Sequence, residues 1–132
     1  MSAPSSPGRF AVPTVKTDDF EAEAALASWV ITMTLKGTAD LRVNGPLEEF
    51  VQGVRTEAAR LKVKEVVVDF RALEFMNSSC FKAFVSWLAQ VEDIEPEERY
   101  RIRFLSDNSK HWQKRSLVAL SCFAADVVQI DA

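Results

Sequence analysis

The chain has little of what most catalytic and metal sites are made from. It holds one histidine, His111, and two cysteines, Cys80 and Cys122. A structural zinc site commonly takes four Cys or His ligands, and no C-x-x-C pair is present, so no metal is expected. The two thiols lie far apart and suit a reducing cytoplasm better than a disulfide framework. Four glycines are scattered singly, which leaves no Gly-rich phosphate loop and no G-x-S-x-G elbow. No apolar run reaches the ~18 residues of a transmembrane helix, and Met1 to Thr17 lacks the apolar core of a signal peptide. There is no basic excess: the net charge is -3, which argues against nucleic acid as a partner. The expectation is a cytoplasmic protein that binds no cofactor, does not insert into membrane and is not an enzyme.

What remains is enough for one domain. The 132 residues are 48% hydrophobic and 27% charged, the composition of a soluble globular protein. Residues 1–18, opening on Ser-Ala-Pro-Ser-Ser-Pro-Gly, read as a flexible tail, and residues 19–132 as a single domain.

Hydrophobic periodicity divides that domain. Phe20 to Leu26 alternates with period two, although its Glu and Ala favour helix. Trp29 to Lys36 alternates clearly, with Trp29, Ile31, Met33 and Leu35 facing one way, and Gly37 ends it. After Asn44-Gly45-Pro46, residues Leu47, Phe50, Val51, Val54, Ala58 and Leu61 share one helix face. Glu65 to Phe70 is a central strand whose valine run implies burial on both faces. A short link, Arg71 to Phe75, leads to Met76-Asn77-Ser78-Ser79 and a helix to about Val91, with Phe81, Phe84, Val85 and Leu88 on one side. An acidic loop, Glu92 to Arg99, precedes a strand around Tyr100, Ile102 and Phe104. A helix from about Ser109 to Ser121, with a basic cluster of Lys110, His111, Lys114 and Arg115, and a short strand over Asp126 to Ile130 complete the chain. Strands alternating with helices predict an α/β layer: a mixed, mostly parallel sheet of four or five strands with three main helices chiefly on one face.

The Asn77-Ser78-Ser79 triplet stands where a buried strand hands over to a helix. Asn and Ser are favoured N-cap residues, and capping is worth on the order of 1 kcal/mol. The unpaired N–H groups and the positive end of the helix dipole lie there too. No chemistry is assigned to Ser78, Ser79 or Cys80 as nucleophile with His111 as base, because no sequence signal pairs them. Glu97 and Glu98 sit in the acidic loop, where a solvated face is the default.

The segment DFRALEFMNSSCFKAFVSWL resembles the signature of STAS domains, the family of anti-sigma-factor antagonists. That signature is an apolar strand ending in Asp, an apolar pair, Asp-Ser-Ser-Gly and an amphipathic helix. Asp69, the Phe75-Met76 pair, Ser78 and Ser79 match it; Asn77 stands where the family usually has Asp, and Cys80 where it usually has Gly. LKGTADL is similar to the family's Leu-x-Gly-x-Leu-Asp turn, with Asp40 in the approximate place of its Asp. The resemblance implies a STAS-like fold and a bacterial partner-switching protein, with Ser78 (Ser79 beside it) phosphorylated by an anti-sigma-type serine kinase. Asn77, Ser78, Ser79, Cys80, Lys82, Trp87 and Asp40 are the expected partner-binding residues. Trp87, displaced from the apolar stripe, either reaches the surface or packs under the acidic loop. Two other readings stay open: a phosphorylation-independent scaffold that assembles with itself or a larger complex, and the STAS subunit of a lipid-transport ABC complex.

Overall fold

The computed structural model describes residues 10–131. Six strands and three α-helices follow one another along the chain: β1 (Val15–Lys16), β2 (Phe20–Ala27), β3 (Val30–Ala39), α1 (Asn44–Leu61), β4 (Glu65–Met76), α2 (Ser78–Glu92), β5 (Arg101–Leu105), α3 (His111–Ser121) and β6 (Val128–Asp131). Short 3-10 turns precede α1 (Leu41–Val43) and β5 (Pro96–Glu98).

The strands lie in the sheet in chain order, β1 to β6. β1, β2 and β3 pair antiparallel, and β3, β4, β5 and β6 pair parallel. Each parallel step needs a crossover, and α1, α2 and α3 supply them. Right-handed crossovers that always step in the same direction bring every helix to the same face. This is the α/β architecture expected, with one strand more. Since the order never reverses, the sheet lacks the switch point at which open α/β sheets form their ligand crevices.

Period-two alternation sorts the two faces. Ile31, Met33 and Leu35 of β3, Val66, Val68 and Phe70 of β4, and Ile102 and Phe104 of β5 are fully buried under the helices. Phe70, Phe84, Phe104 and Trp87 form an aromatic cluster beneath α2, with Phe70 and Phe84 edge to face at 5.4 Å. On the other face Thr32, Thr34 and Arg103 stay partly exposed, and Arg103 bridges Glu65 (3.2 Å) and Asp131 (3.3 Å) across three strands.

Several expectations are corrected. Within residues 10–18, expected as tail, Val15 and Lys16 pair with β2, Phe10, Val12 and Val15 pack on the core, and the Ala11 amide donates to Glu57 Oε1 at 3.1 Å. Residues 1–9 lie outside the described residues. Gly37 does not end β3, which runs on to Ala39. It has φ +89°, and a Cβ there would stand 2.0 Å from the Asp19 carbonyl oxygen, so only glycine lets β3 pass this close to the β1–β2 turn. The Arg71–Phe75 link is a continuation of β4, paired with β3 through two register shifts. The α3 helix starts at His111 instead of Ser109, because the Asp107 carboxylate accepts from the Ser109 amide and hydroxyl in a turn of its own. Trp29 does not share the buried side of β3. It occupies the two-residue β2–β3 loop with Ser28, both at positive φ, and is 59% exposed.

Candidate partner-docking site

The site forms at the carboxyl ends of β3 and β4, where α2 begins. The chain leaves β4 at Asn77, which is extended (φ −77°, ψ 169°) and accepts from the Cys80 amide through its side chain at 2.9 Å. The Asn77 amide donates to the Ala39 carbonyl at 2.9 Å, tying the start of α2 to the end of β3. Asn77 is thus the N-cap, and its bond fixes Ser78, Ser79 and Cys80 as the first helical turn.

These three side chains diverge. Cys80 is fully buried, and its Sγ donates to the Asp40 carbonyl at 3.6 Å. Burial, with the Asp40 charge adding to it, pushes its thiol pKa up. Cys80 is therefore a packing residue, and its expected part in partner contact is corrected to one behind the surface. Ser79 is half-buried and Ser78 exposed. Neither hydroxyl makes a hydrogen bond to any described residue. The Ser78 and Ser79 amides belong to the first turn, which no i−4 carbonyl can satisfy. An exposed hydroxyl thus stands beside the positive end of a 15-residue helix. Lys82, exposed, lies four residues on, on the same side of α2.

Large apolar side chains are exposed at this same end of the sheet. Leu41 is 70% exposed and Phe75 is 48% exposed. Phe75 pairs with Thr38, and Met76 with Ala39, so Phe75 and Leu41 lie near the ends of adjacent strands that lead into the site. The sequence reading saw Phe75 only as half of an apolar pair and passed over Leu41. An apolar residue next to a strand end, without a helix to cover it, was the available signal.

The frame around this patch is built from charges used locally. Arg42 Nη2 reaches Asp40 Oδ2 at 2.8 Å and Asp19 Oδ2 at 2.9 Å, and Asp40 Oδ1 accepts from the Arg42 amide at 2.9 Å. The Arg42 guanidinium and amide hold the Asp40 carboxyl below its usual range. Asp40 therefore organises the turn into α1 and is half-exposed beside the site. Asp69 does the same on β4: its side chain accepts from the Arg71 amide and guanidinium, which lowers its pKa.

Gln113, missed in the sequence, secures the irregular part of β4 from α3. It is fully buried. Its Nε2 donates to the Phe70 and Leu73 carbonyls at 2.6 and 2.9 Å, and its Oε1 accepts from the Asp107 amide at 2.9 Å. Lys110 Nζ adds a bond to the Arg71 carbonyl at 2.6 Å. Of the two readings of Trp87 the structure has the buried one, which removes it from the partner-binding residues: it is fully buried, and its Nε1 donates to the Tyr100 hydroxyl at 2.9 Å. The Trp indole needs both apolar cover and one acceptor, and Tyr100 supplies the acceptor inside the core.

Among the described residues no three or more His, Cys, Asp or Glu side chains are grouped to hold a metal ion, and no helix is long and apolar enough to cross a membrane. No family model matches the chain, and no curated protein matches it. Solved structures do. An anti-sigma factor antagonist from Mycobacterium paratuberculosis is 16% identical over 83% of this chain and 86% of its own, with a TM-score of 0.61. The NMR structure of the protein TM1081 is 15% identical over 82% of this chain and 78% of its own, with a TM-score of 0.58. At such low identity the likeness is one of architecture: the chain has a STAS-like fold.

Proposed function

We propose that this protein is a bacterial partner-switching regulator of the anti-sigma-factor-antagonist kind, which acts by binding another protein and carries out no catalysis. The partner docks on the start of α2, around Ser78, Leu41, Phe75 and Lys82. A partner serine kinase then transfers a phosphoryl group from ATP to Ser78. The observation that carries this reading is the Ser78 hydroxyl, exposed and without a hydrogen-bond partner among the described residues, in the first turn of α2. A phosphate there adds about -1.5 to -2 charges at a helix start, which tolerates them. The fold survives, while an apolar partner surface resting on Leu41 and Phe75 is left facing a charge it cannot solvate. Phosphorylation then dissociates the complex.

The test is incubation with the cognate kinase and ATP followed by mass spectrometry. One phosphate is expected on the parent chain and none on Ser78→Ala. No mass gain, or a gain that survives the substitution, overturns the switch. The scaffold reading keeps one observation in its favour: Leu41 and Phe75 are large and apolar enough to be covered permanently. It predicts that Ser78→Ala and Ser78→Glu bind the partner as tightly as the parent.

A further inference from the structure

The opposite end of the sheet carries a second unusual surface. At the amino ends of β3, β4 and β5 lies an open hollow of about 640 Å³, lined by Val30, Val63, Lys62, Lys64, Arg101 and the Glu97–Glu98 pair among others. Val63 is buried and Val30 half-buried, whereas Lys62, Lys64, Arg101, Glu97 and Glu98 are all exposed. None of these five charged side chains has a hydrogen bond or ion pair with a described residue. Opposite charges thus line one hollow without meeting. Arg99, also there, is occupied: it donates to the Ile94 and Glu92 carbonyls at 2.9 and 2.8 Å.

Trp29 stands at the edge of this hollow. Its neighbour Val30 lines the hollow, and its carbonyl accepts from the Lys64 amide at 2.8 Å. Ser28 and Trp29 have φ of 52° and 68°, the positive values at both loop positions that a type I′ hairpin turn requires. Neither is glycine, and a bulky residue in this region is uncommon. The turn and the Lys64 bond fix the Trp29 backbone, with the side chain exposed, so that only its rotamers are left to order on binding. Exposed tryptophan is the residue type most enriched at binding hot spots.

We propose that a second copy of this chain docks here in a two-fold contact. Each Trp29 enters the hollow of the other copy, and Lys62 and Lys64 of the α1–β4 connection in each meet Glu97 and Glu98 of the 3-10 turn before β5 in the other. The occupant follows from the charges. A uniformly acidic or basic partner would be repelled by one of these two segments, whereas a two-fold axis that exchanges the segments sets the lysines of each copy against the glutamates of the other. β4 separates this end from Ser78 by about 35 Å at ~3.3 Å per residue. The dimer therefore leaves both Ser78 surfaces free, and the inference stands whether or not Ser78 is phosphorylated.

Sedimentation velocity on the full chain over a concentration series tests it. The parent is expected to dimerise, and Trp29→Ala, which removes two such contacts per dimer, to weaken it about 1,000-fold, a factor of about 30 for each hot-spot residue. The K62E/K64E chain and the E97K/E98K chain are each expected to be monomeric, because like charges then meet at both contacts. Mixed in equal amounts they are expected to form a heterodimer, since both contacts become complementary again. Neither misfolding nor a general loss of solubility produces that recovery. A parent chain that stays monomeric to about 1 mM, a dimer indifferent to Trp29→Ala, or a mixture no more associated than its components overturns the proposal.

Discussion

At the Ser78 end of the sheet, most charged side chains are bonded to backbone and to one another, and the hydroxyls of Ser78 and Ser79 and the Lys82 ammonium are left over. Arg42 is held by Asp19 and Asp40, Asp69 by Arg71, and Lys110 by the Arg71 carbonyl. At the Trp29 end the reverse holds. The backbone bonds itself, Lys64 to Trp29 and Arg101 to Lys64, and five charges remain unmatched among the described residues. The first end needs its polar groups because β4 there is irregular, with two register shifts that leave carbonyls without a ladder partner. The second end is regular along its strands, and only Arg99, on the loop carbonyls of Glu92 and Ile94, is used in this way. A rigid frame around an exposed hydroxyl suits recognition of a small chemical change. A regular platform with free charges suits a broad contact.

Three substitutions sharpen this contrast. The largest effect is expected for Gln113→Ala, which strands the Phe70 and Leu73 carbonyls and the Asp107 amide inside the protein. A loss of about 2–3 kcal/mol is expected, the scale of buried unsatisfied groups, measured by urea unfolding. Hydrogen exchange should speed up at Leu73 to Asn77 and stay unchanged at Val30 and Lys64; equal acceleration at both ends would erase the distinction. Next comes Asn77→Ala. Losing the cap is expected to cost about 1 kcal/mol and to fray the first turn of α2 while α1 and α3 keep their exchange rates. The smallest effect concerns pH. Arg71 holds the Asp69 carboxyl below its ordinary value, so the folded state binds that proton more weakly than the unfolded state. The contribution is complete above the ordinary carboxylate pKa of about 4 and is lost as pH falls through the lowered folded value. Asp69→Asn should remove that part of the acid loss, seen as a flatter urea midpoint against pH; an unchanged slope would show the pair to be idle.

Much of this could be read from the residues. α1, α2, β3 and β5 announce themselves because each buries one side, and one-sided burial writes a period into the sequence. The strand–Asn-Ser-Ser–helix junction is legible because capping chemistry is local. What escaped depends on distant partners. β1 is two residues long and exists only because β2 lies alongside. Trp29 fits the period-two count of β3, and nothing in Ser28-Trp29 carries the Asn or Gly signature of a type I′ turn. Trp87 lies off the Phe81, Phe84, Val85 and Leu88 stripe, but the face that packs is Cys80, Ala83, Phe84, Trp87, Leu88 and Val91, turned so that Trp87 is inside it with Tyr100 as its acceptor thirteen residues away. Gln113 looks like a solvated residue until two carbonyls released by the β4 irregularity are seen beside it.

The fate of the two thiols has a practical side. Cys80 is sealed and kept protonated by its surroundings, whereas Cys122 is open to solvent at the end of α3. A maleimide dye added to the native protein will find one sulfur and ignore the other. The molecule thus comes with a built-in attachment point on a helix that contributes to neither surface, from which binding at either can be watched without altering a single residue.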